Sequence, residues 1–174
     1  NNLANFSYIG YLVMRVIICG VIIDNYSFND AMERIVEQAV TGVVPSYVVT
    51  PNAQHVLSLQ RDAYFRDIYE KAFLAVPDGV SLLWSAKFLK TPLNGRVNGT
   101  DLFEELSAVA DKKGLKVFLL GGRPGAAEAA KETLLSRHPN LKIVGTHCQP
   151  YGFESQPKEL ALINSKIKAA APDI

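Results

Sequence analysis

A chain of 174 residues, 48% apolar and 20% charged, has the size and composition of one compact globular domain and is too polar for a membrane bundle. Lys and Arg number 18 against 17 Asp and Glu, a formal charge of +1, so bulk electrostatics give no reason to expect nucleic acid as a partner. Cys19 and Cys148 lie far apart and form no CxxC pair, which speaks against a disulfide framework or zinc ribbon and fits a reducing, cytoplasmic setting.

Tyr8 to Ile18 is mostly apolar, but it contains Arg15, has no basic lead like that of a signal peptide, and falls short of the roughly 20 residues that span a bilayer. Residues 1–13 are expected to lie outside the fold, as an extension or an upstream reading-frame artefact, with an ordinary flexible terminus as the alternative, and 14–174 to form a single α/β domain. Arg15 to Cys19 and Val21 to Ile23 are β-branched runs parted by Gly20, a strand, a bend and a second strand. Ser27 is placed to cap a helix from about Phe28 to Val40, with Met32, Ile35, Val36 and Ala39 on one face and Gly42 as its stop. Tyr47 to Val49 predicts a buried strand that runs into Thr50-Pro51-Asn52, with a helix through His55 and Leu59 and beyond.

Ala72 to Val76 is a further short apolar run, ended by Pro77-Asp78-Gly79, and Val80 to Leu89 predicts a helix with Trp84 and Phe88 on one side. An amphipathic helix over Asp101 to Lys112 is broken by Gly114, and Lys116 to Leu120 is the clearest buried strand. After Gly121-Gly122-Arg123-Pro124-Gly125, a helix is expected over Ala126 to Arg137, a strand over Lys142 to Gly145 and a last helix over Pro157 to Ala170. Strands and helices alternate through short connections, which predicts a three-layer α/β fold with a mostly parallel sheet. Pro172-Asp173-Ile174 reads as the opening of another strand, so the chain is expected to be a shortened form of a longer protein.

In such a sheet, ligands gather beyond the carboxyl ends of strands, where loops lead into helix N-termini. Thr50-Pro51-Asn52, Pro77-Asp78-Gly79 and Gly121-Gly122-Arg123-Pro124-Gly125 fit that position. The glycine loop, with a helix start and Arg123 beside it, suits a phosphate, although it matches neither G-x-G-x-x-G nor G-x-x-x-x-G-K-[ST] and an empty tight turn is equally compatible. The missing dinucleotide fingerprint speaks against a nicotinamide-dependent oxidoreductase. Asp78 could take a proton from a sugar hydroxyl or simply cap the helix opening at Val80, and by spacing alone the cap is the commoner outcome. Arg96 could clamp a diphosphate or face solvent, with Thr100 or Asp101 capping the helix that follows. His55, His138 and His147 lack metal-ligand spacing.

Six segments in order carry a resemblance: Gly20-Val21-Ile22-Ile23-Asp24-Asn25, Thr50-Pro51-Asn52, Val76-Pro77-Asp78-Gly79, Arg96-Val97-Asn98-Gly99-Thr100-Asp101-Leu102-Phe103, Val117-Phe118-Leu119-Leu120-Gly121-Gly122 and Ile143-Val144-Gly145-Thr146. Together the stretch from Met14 to Ile174 resembles the WecG/TagA/CpsF family, glycosyltransferase family 26. The resemblance implies a Rossmann-like fold and an inverting transfer of N-acetylmannosamine or a related hexosyl group from a UDP-sugar. The implied acceptor is an undecaprenyl-diphosphate-linked sugar used for cell-surface polysaccharide or wall teichoic acid. It implies no cofactor and no required metal, and a peripheral position on the inner face of the bacterial plasma membrane; a homo-oligomer stays open. Asp78 then matches the base and Arg96 a residue acting on substrate or leaving group. Thr50 and Asn52 match pocket residues, and Gly79, Gly99, Gly121, Gly122 and Arg123 are further candidates for substrate contact.

The family pattern has glycine where Ser81 stands here, and Thr146 to Phe153 is longer than usual. It also continues past the Pro-Asp pair into a strand and an appendage that contacts the membrane and completes the site. The resemblance therefore implies that 14–174 folds yet is C-terminally incomplete and close to inactive. A non-catalytic nucleotide-sugar binding or assembly module of the same fold is the alternative.

Overall fold

A computed structural model describes residues 15–174, so the expectation for residues 1–13 lies outside the described residues. The chain divides into two units, one ending at Leu102 and the other covering Phe103–Ile174.

In the first unit, β1 (Arg15–Ile18) and β2 (Val21–Asp24) pair antiparallel with Ile18 opposite Val21. The two turn residues, Cys19 and Gly20, have φ of 50° and 77°, the left-handed pair of a tight hairpin whose twist matches its strands. This hairpin is antiparallel where the two later strand pairs are parallel: a two-residue turn can only reverse direction, because a parallel return needs a crossover. Next comes α1 (Phe28–Thr41), opened by a capping box in which Ser27 accepts from the Asp30 N–H and Asp30 accepts from the Ser27 N–H, and closed at Gly42.

β3 (Val48–Val49) and β4 (Leu74–Ala75) pair parallel. The crossover between them holds two helices, α2 (Ala53–Leu59) and α3 (Ala63–Glu70), where the sequence predicts one. The break has a local cause: the Asp62 carboxylate accepts from the Phe65 N–H at 2.9 Å and starts a new helix. Then follow α4 (Val80–Phe88) and α5 (Gly99–Lys113), which crosses the boundary at Leu102. The core of this unit gathers Ile18, Val21, Ile23, Val56, Leu59, Tyr69, Leu82 and Ala86. Fully burying one of its Leu or Ile side chains stabilises the fold by about 1.5–3 kcal/mol.

Asp24 is the polar exception in that core, 4% exposed. Its carboxylate accepts from Arg15 Nε at 2.9 Å and from the Ala75 N–H at 2.8 Å, tying the hairpin to β4. A charged acceptor thus satisfies a buried strand N–H that would otherwise lack a partner.

In the second unit, β5 (Lys116–Leu120) and β6 (Lys142–His147) pair parallel around α6 (Ala126–Arg137), with a register shift between Val117 and Phe118. Gly145 is required there, since a Cβ would collide with the Phe118 ring. A short 3-10 turn (Phe153–Ser155) leads to α7 (Pro157–Ala170). Val117, Leu119, Ala127, Leu134 and Leu141 form the core with Ala110.

The Ile174 N–H donates to the Lys116 carbonyl at 3.0 Å, and the Phe118 N–H donates to the Ile174 carbonyl at 2.9 Å. Residues of a strand alternate the edge they bond to, and Gly121 N–H donates to the His147 carbonyl of β6, so Ile174 runs along the other edge of β5. Asp173 and Ile174 are thus hydrogen-bonded to β5, without forming a strand of their own among the described residues. Among the described residues no helix is long and apolar enough to cross a membrane.

Candidate functional site

The parallel pair β3/β4 carries two loops out at its carboxyl end. The Val76 N–H donates to the Val49 carbonyl at 3.0 Å and continues the pairing past the strands. The Asp78 N–H then donates to the Pro51 carbonyl, and the Val97 N–H to the Pro77 carbonyl, both at 2.8 Å. Three segments remote in sequence are thereby stitched together by backbone, with Pro51, Pro77 and Val97 fully buried beneath.

On this platform the Asn52 side chain accepts from the His55 N–H at 2.9 Å and caps α2. Gly79 has φ of 113°, a conformation that side-chain-bearing residues rarely adopt, and it is itself the N-cap of α4, with no side-chain hydrogen bond. Asp78 therefore does not cap α4, and the commoner of its two sequence readings is removed. Its carboxylate, half-buried, makes no hydrogen bond or ion pair with any described residue. Arg96 precedes the Val97 anchor and stands 4.0 Å from Asp101, with 44% of its side chain exposed. The start of α5 is capped by the Asn98 side chain, which accepts from the Thr100 N–H at 2.9 Å, rather than by Thr100 or Asp101; α5 begins earlier than its sequence predicts, which moves the cap upstream. A Cβ at Gly99 would lie 3.7 Å from Thr50 Oγ1, and one at Gly79 would lie 3.8 Å from the Asn52 Cβ. Thr50, Asn52, Asp78, Gly79, Arg96 and Gly99 thus meet at one end of one sheet.

Behind Asn52, the Tyr69 hydroxyl and His55 Nδ1 share a hydrogen bond of 2.7 Å, and Phe65 packs edge-on to Tyr69 at 4.9 Å. Burial pushes the Tyr69 hydroxyl above its ordinary value of 10.0. The folded chain holds the phenol neutral more firmly than the unfolded chain. Its contribution is therefore complete below about pH 10 and is lost as pH rises through the raised value. Tyr69→Phe should cost about 1 kcal/mol at neutral pH and flatten the alkaline loss of stability. Urea unfolding of both forms at neutral and alkaline pH checks this.

In the second unit, Gly121 and Gly122 leave β5 with φ of 115° and 83°, and a Cβ on Gly122 would stand 2.8 Å from that of Ala126. Gly125 caps α6 with no side-chain hydrogen bond, and Arg123 is exposed beside it without a partner among the described residues. At the end of β6, His147 is held between Glu159 Oε1 at 2.7 Å and Lys166 Nζ at 2.9 Å. Glu128 accepts from Thr146 Oγ1 at 3.1 Å; its own backbone N–H, and then Thr146, hold its carboxyl below the usual range.

The profile of the glycosyl transferase WecG/TagA/CpsF family matches residues 16–174. The chain belongs to the WecG/TagA/CpsF glycosyltransferase family. It is similar to the N-acetylglucosaminyldiphosphoundecaprenol N-acetyl-beta-D-mannosaminyltransferase of Bacillus subtilis (strain 168), at 26% identity over 85% of this chain and 54% of that protein. The protein of the same name from Staphylococcus aureus (strain NCTC 8325 / PS 47) is 29% identical over 91% of this chain and 61% of its own length. The chain thus spans between half and two thirds of the curated relatives it matches.

Within this WecG/TagA/CpsF chain, six of the residues singled out from sequence are brought together in the first unit. Gly121, Gly122 and Arg123 form a separate strand-end loop in the second. The Asp24 brace, the Tyr69–His55 pair and the His147 cluster have no local sequence signature, because each partner arrives from another element. Asp62 is different: an Asp three residues before Phe65, after a polar Gln60-Arg61, is a readable helix start.

Proposed function

We propose that this chain carries the sugar-transfer chemistry of an inverting UDP-sugar hexosyltransferase. N-acetylmannosamine is the donor sugar, and the acceptor is a sugar hydroxyl on undecaprenyl diphosphate. The observation that supports it best is the free carboxylate of Asp78, presented at a strand end beside Thr50, Asn52 and Arg96. The Asp78 carboxylate takes the proton of the acceptor hydroxyl as its oxygen bonds to the anomeric carbon. The bond from that carbon to the diphosphate oxygen breaks on the opposite face, and UDP leaves with the electron pair. Arg96 meets the charge that grows on the diphosphate. Thr50 and Asn52 orient the sugar.

The fold we infer for 14–174 as one glycosyltransferase module is the three-layer Rossmann-like one. The parallel pairs β3/β4 and β5/β6, each joined through helix, support it. The place we infer for it is the inner face of the plasma membrane, where a lipid-linked acceptor is held.

Release of UDP that depends on both the UDP-sugar and the lipid-linked acceptor, measured on this chain beside a version extended past Ile174, tests the reading; a non-catalytic nucleotide-sugar module would bind the UDP-sugar and release no UDP in either form. Arg96→Ala should lower turnover about tenfold to a hundredfold, the scale of one charge-assisted hydrogen bond, with partial recovery in Arg96→Lys. A chelator should leave the wild-type rate unchanged; an absolute need for magnesium or manganese would show that cations other than Arg96 meet the leaving group.

A further inference from the structure

α4 is apolar on opposite faces. Leu82 and Ala86 are buried in the core, while Val80, Trp84 and Phe88, spaced four apart on the far side, are 49%, 72% and 87% exposed. A helix apolar all round is normally covered on every side, and a row of exposed aromatics marks a contact surface. The charged residues of α4 and of the turn that follows it are Lys87 and Lys90, both exposed, in a chain whose total charge is only +1; Arg96, further on, stands by Asp101. Lys87, three residues from Trp84, shares the arc of Val80, Trp84 and Phe88.

We propose that this face of α4 docks on an anionic membrane surface, with Trp84 and Phe88 entering the headgroup–acyl boundary and Lys87 and Lys90 meeting lipid phosphates. The inference rests on the reading that the acceptor is lipid-linked, and it specifies which surface of the chain meets the lipid. Aromatic side chains flanked by lysines, on a helix that does not span, are the composition of an interfacial contact. Gly79, the N-cap of α4, directly follows Asp78, so a helix lying in the interface keeps Asp78 at headgroup level. That is the depth at which a sugar on a polyprenyl diphosphate is presented.

Trp84 is the single tryptophan of the chain and reports on its own surroundings. Mixing the protein with vesicles of phosphatidylglycerol and phosphatidylcholine should move its emission to the blue, with quenching by lipids brominated in the acyl chain. Lys87→Gln/Lys90→Gln should weaken partitioning about twenty-five-fold, two lysines at about fivefold each. Phe88→Ser, at an exposed position, should weaken it without changing the melting temperature.

No shift on phosphatidylglycerol vesicles overturns the proposal. So does a blue shift that appears on concentrating the protein without lipid and accompanies a dimer in sedimentation. Transfer to a short, water-soluble acceptor analogue separates this inference from the functional reading. If vesicle binding fails while that transfer proceeds, only the docking surface is wrong; if binding holds and no acceptor is glycosylated, only the functional reading is wrong.

Discussion

In a full-length form, Asp78→Asn is expected to leave UDP binding intact and to lower turnover at least about a hundredfold, the scale of acid–base catalysis by one positioned group. The substitution keeps the shape of the side chain and leaves the Asp78 N–H bonded to the Pro51 carbonyl, so the loop stays in place. It removes the negative charge and, with it, the capacity to take up a proton. The carboxylate makes no bond to any described residue and caps no helix, so the variant should also melt with the wild type. That pairing of outcomes separates a base from a structural carboxylate, whose loss would be felt in stability first. Calorimetric titration with UDP, thermal melts and the transfer assay check the three parts. Wild-type turnover in Asp78→Asn would assign the proton to another group.

The elements most legible in the sequence are those whose ends are decided locally. Ser27 and Asp30 close a capping box within one turn, and Ala126–Arg137 and Pro157–Ala170 form helices over the residues their sequence predicts. Asp78 was ambiguous in sequence because cap and base both call for a carboxylate between a strand and a helix. The structure resolves one half of that ambiguity through Gly79, whose φ of 113° takes the N-cap position. The pairing of strands was legible in part: Gly20 marks the hairpin turn, but direction depends on the two-residue length of that turn rather than on the β-branched runs beside it. Contacts such as Asp24 to Ala75 span 51 residues and leave no periodic trace. For the same reason the exposed row on α4 was readable as one side of a helix, but not as its outer side.

Asp24→Ala should cost about 2–4 kcal/mol, most of it from the Ala75 N–H and little from the ion pair. Arg15 is 63% exposed while the Asp24 side chain is 6% exposed, so water screens the cation and compensates much of its loss. The Ala75 N–H has no such recourse: it is buried in β4, and removing its acceptor leaves it unsatisfied at about 1–3 kcal/mol. Arg15→Ala should therefore cost under about 1 kcal/mol, and the double variant little more than Asp24→Ala alone. The consequence reaches the site, because the chain leaves β4 through Val76 and Pro77 to Asp78, and the Val49–Val76 and Pro51–Asp78 hydrogen bonds follow on from it. Urea unfolding of the three variants checks the energies. Amide exchange at Val76 and Asp78 checks the coupling, and should quicken in Asp24→Ala while staying near wild type in Arg15→Ala. Equal destabilisation by the two single variants would mean that the ion pair, not the strand N–H, is what Asp24 is buried to serve.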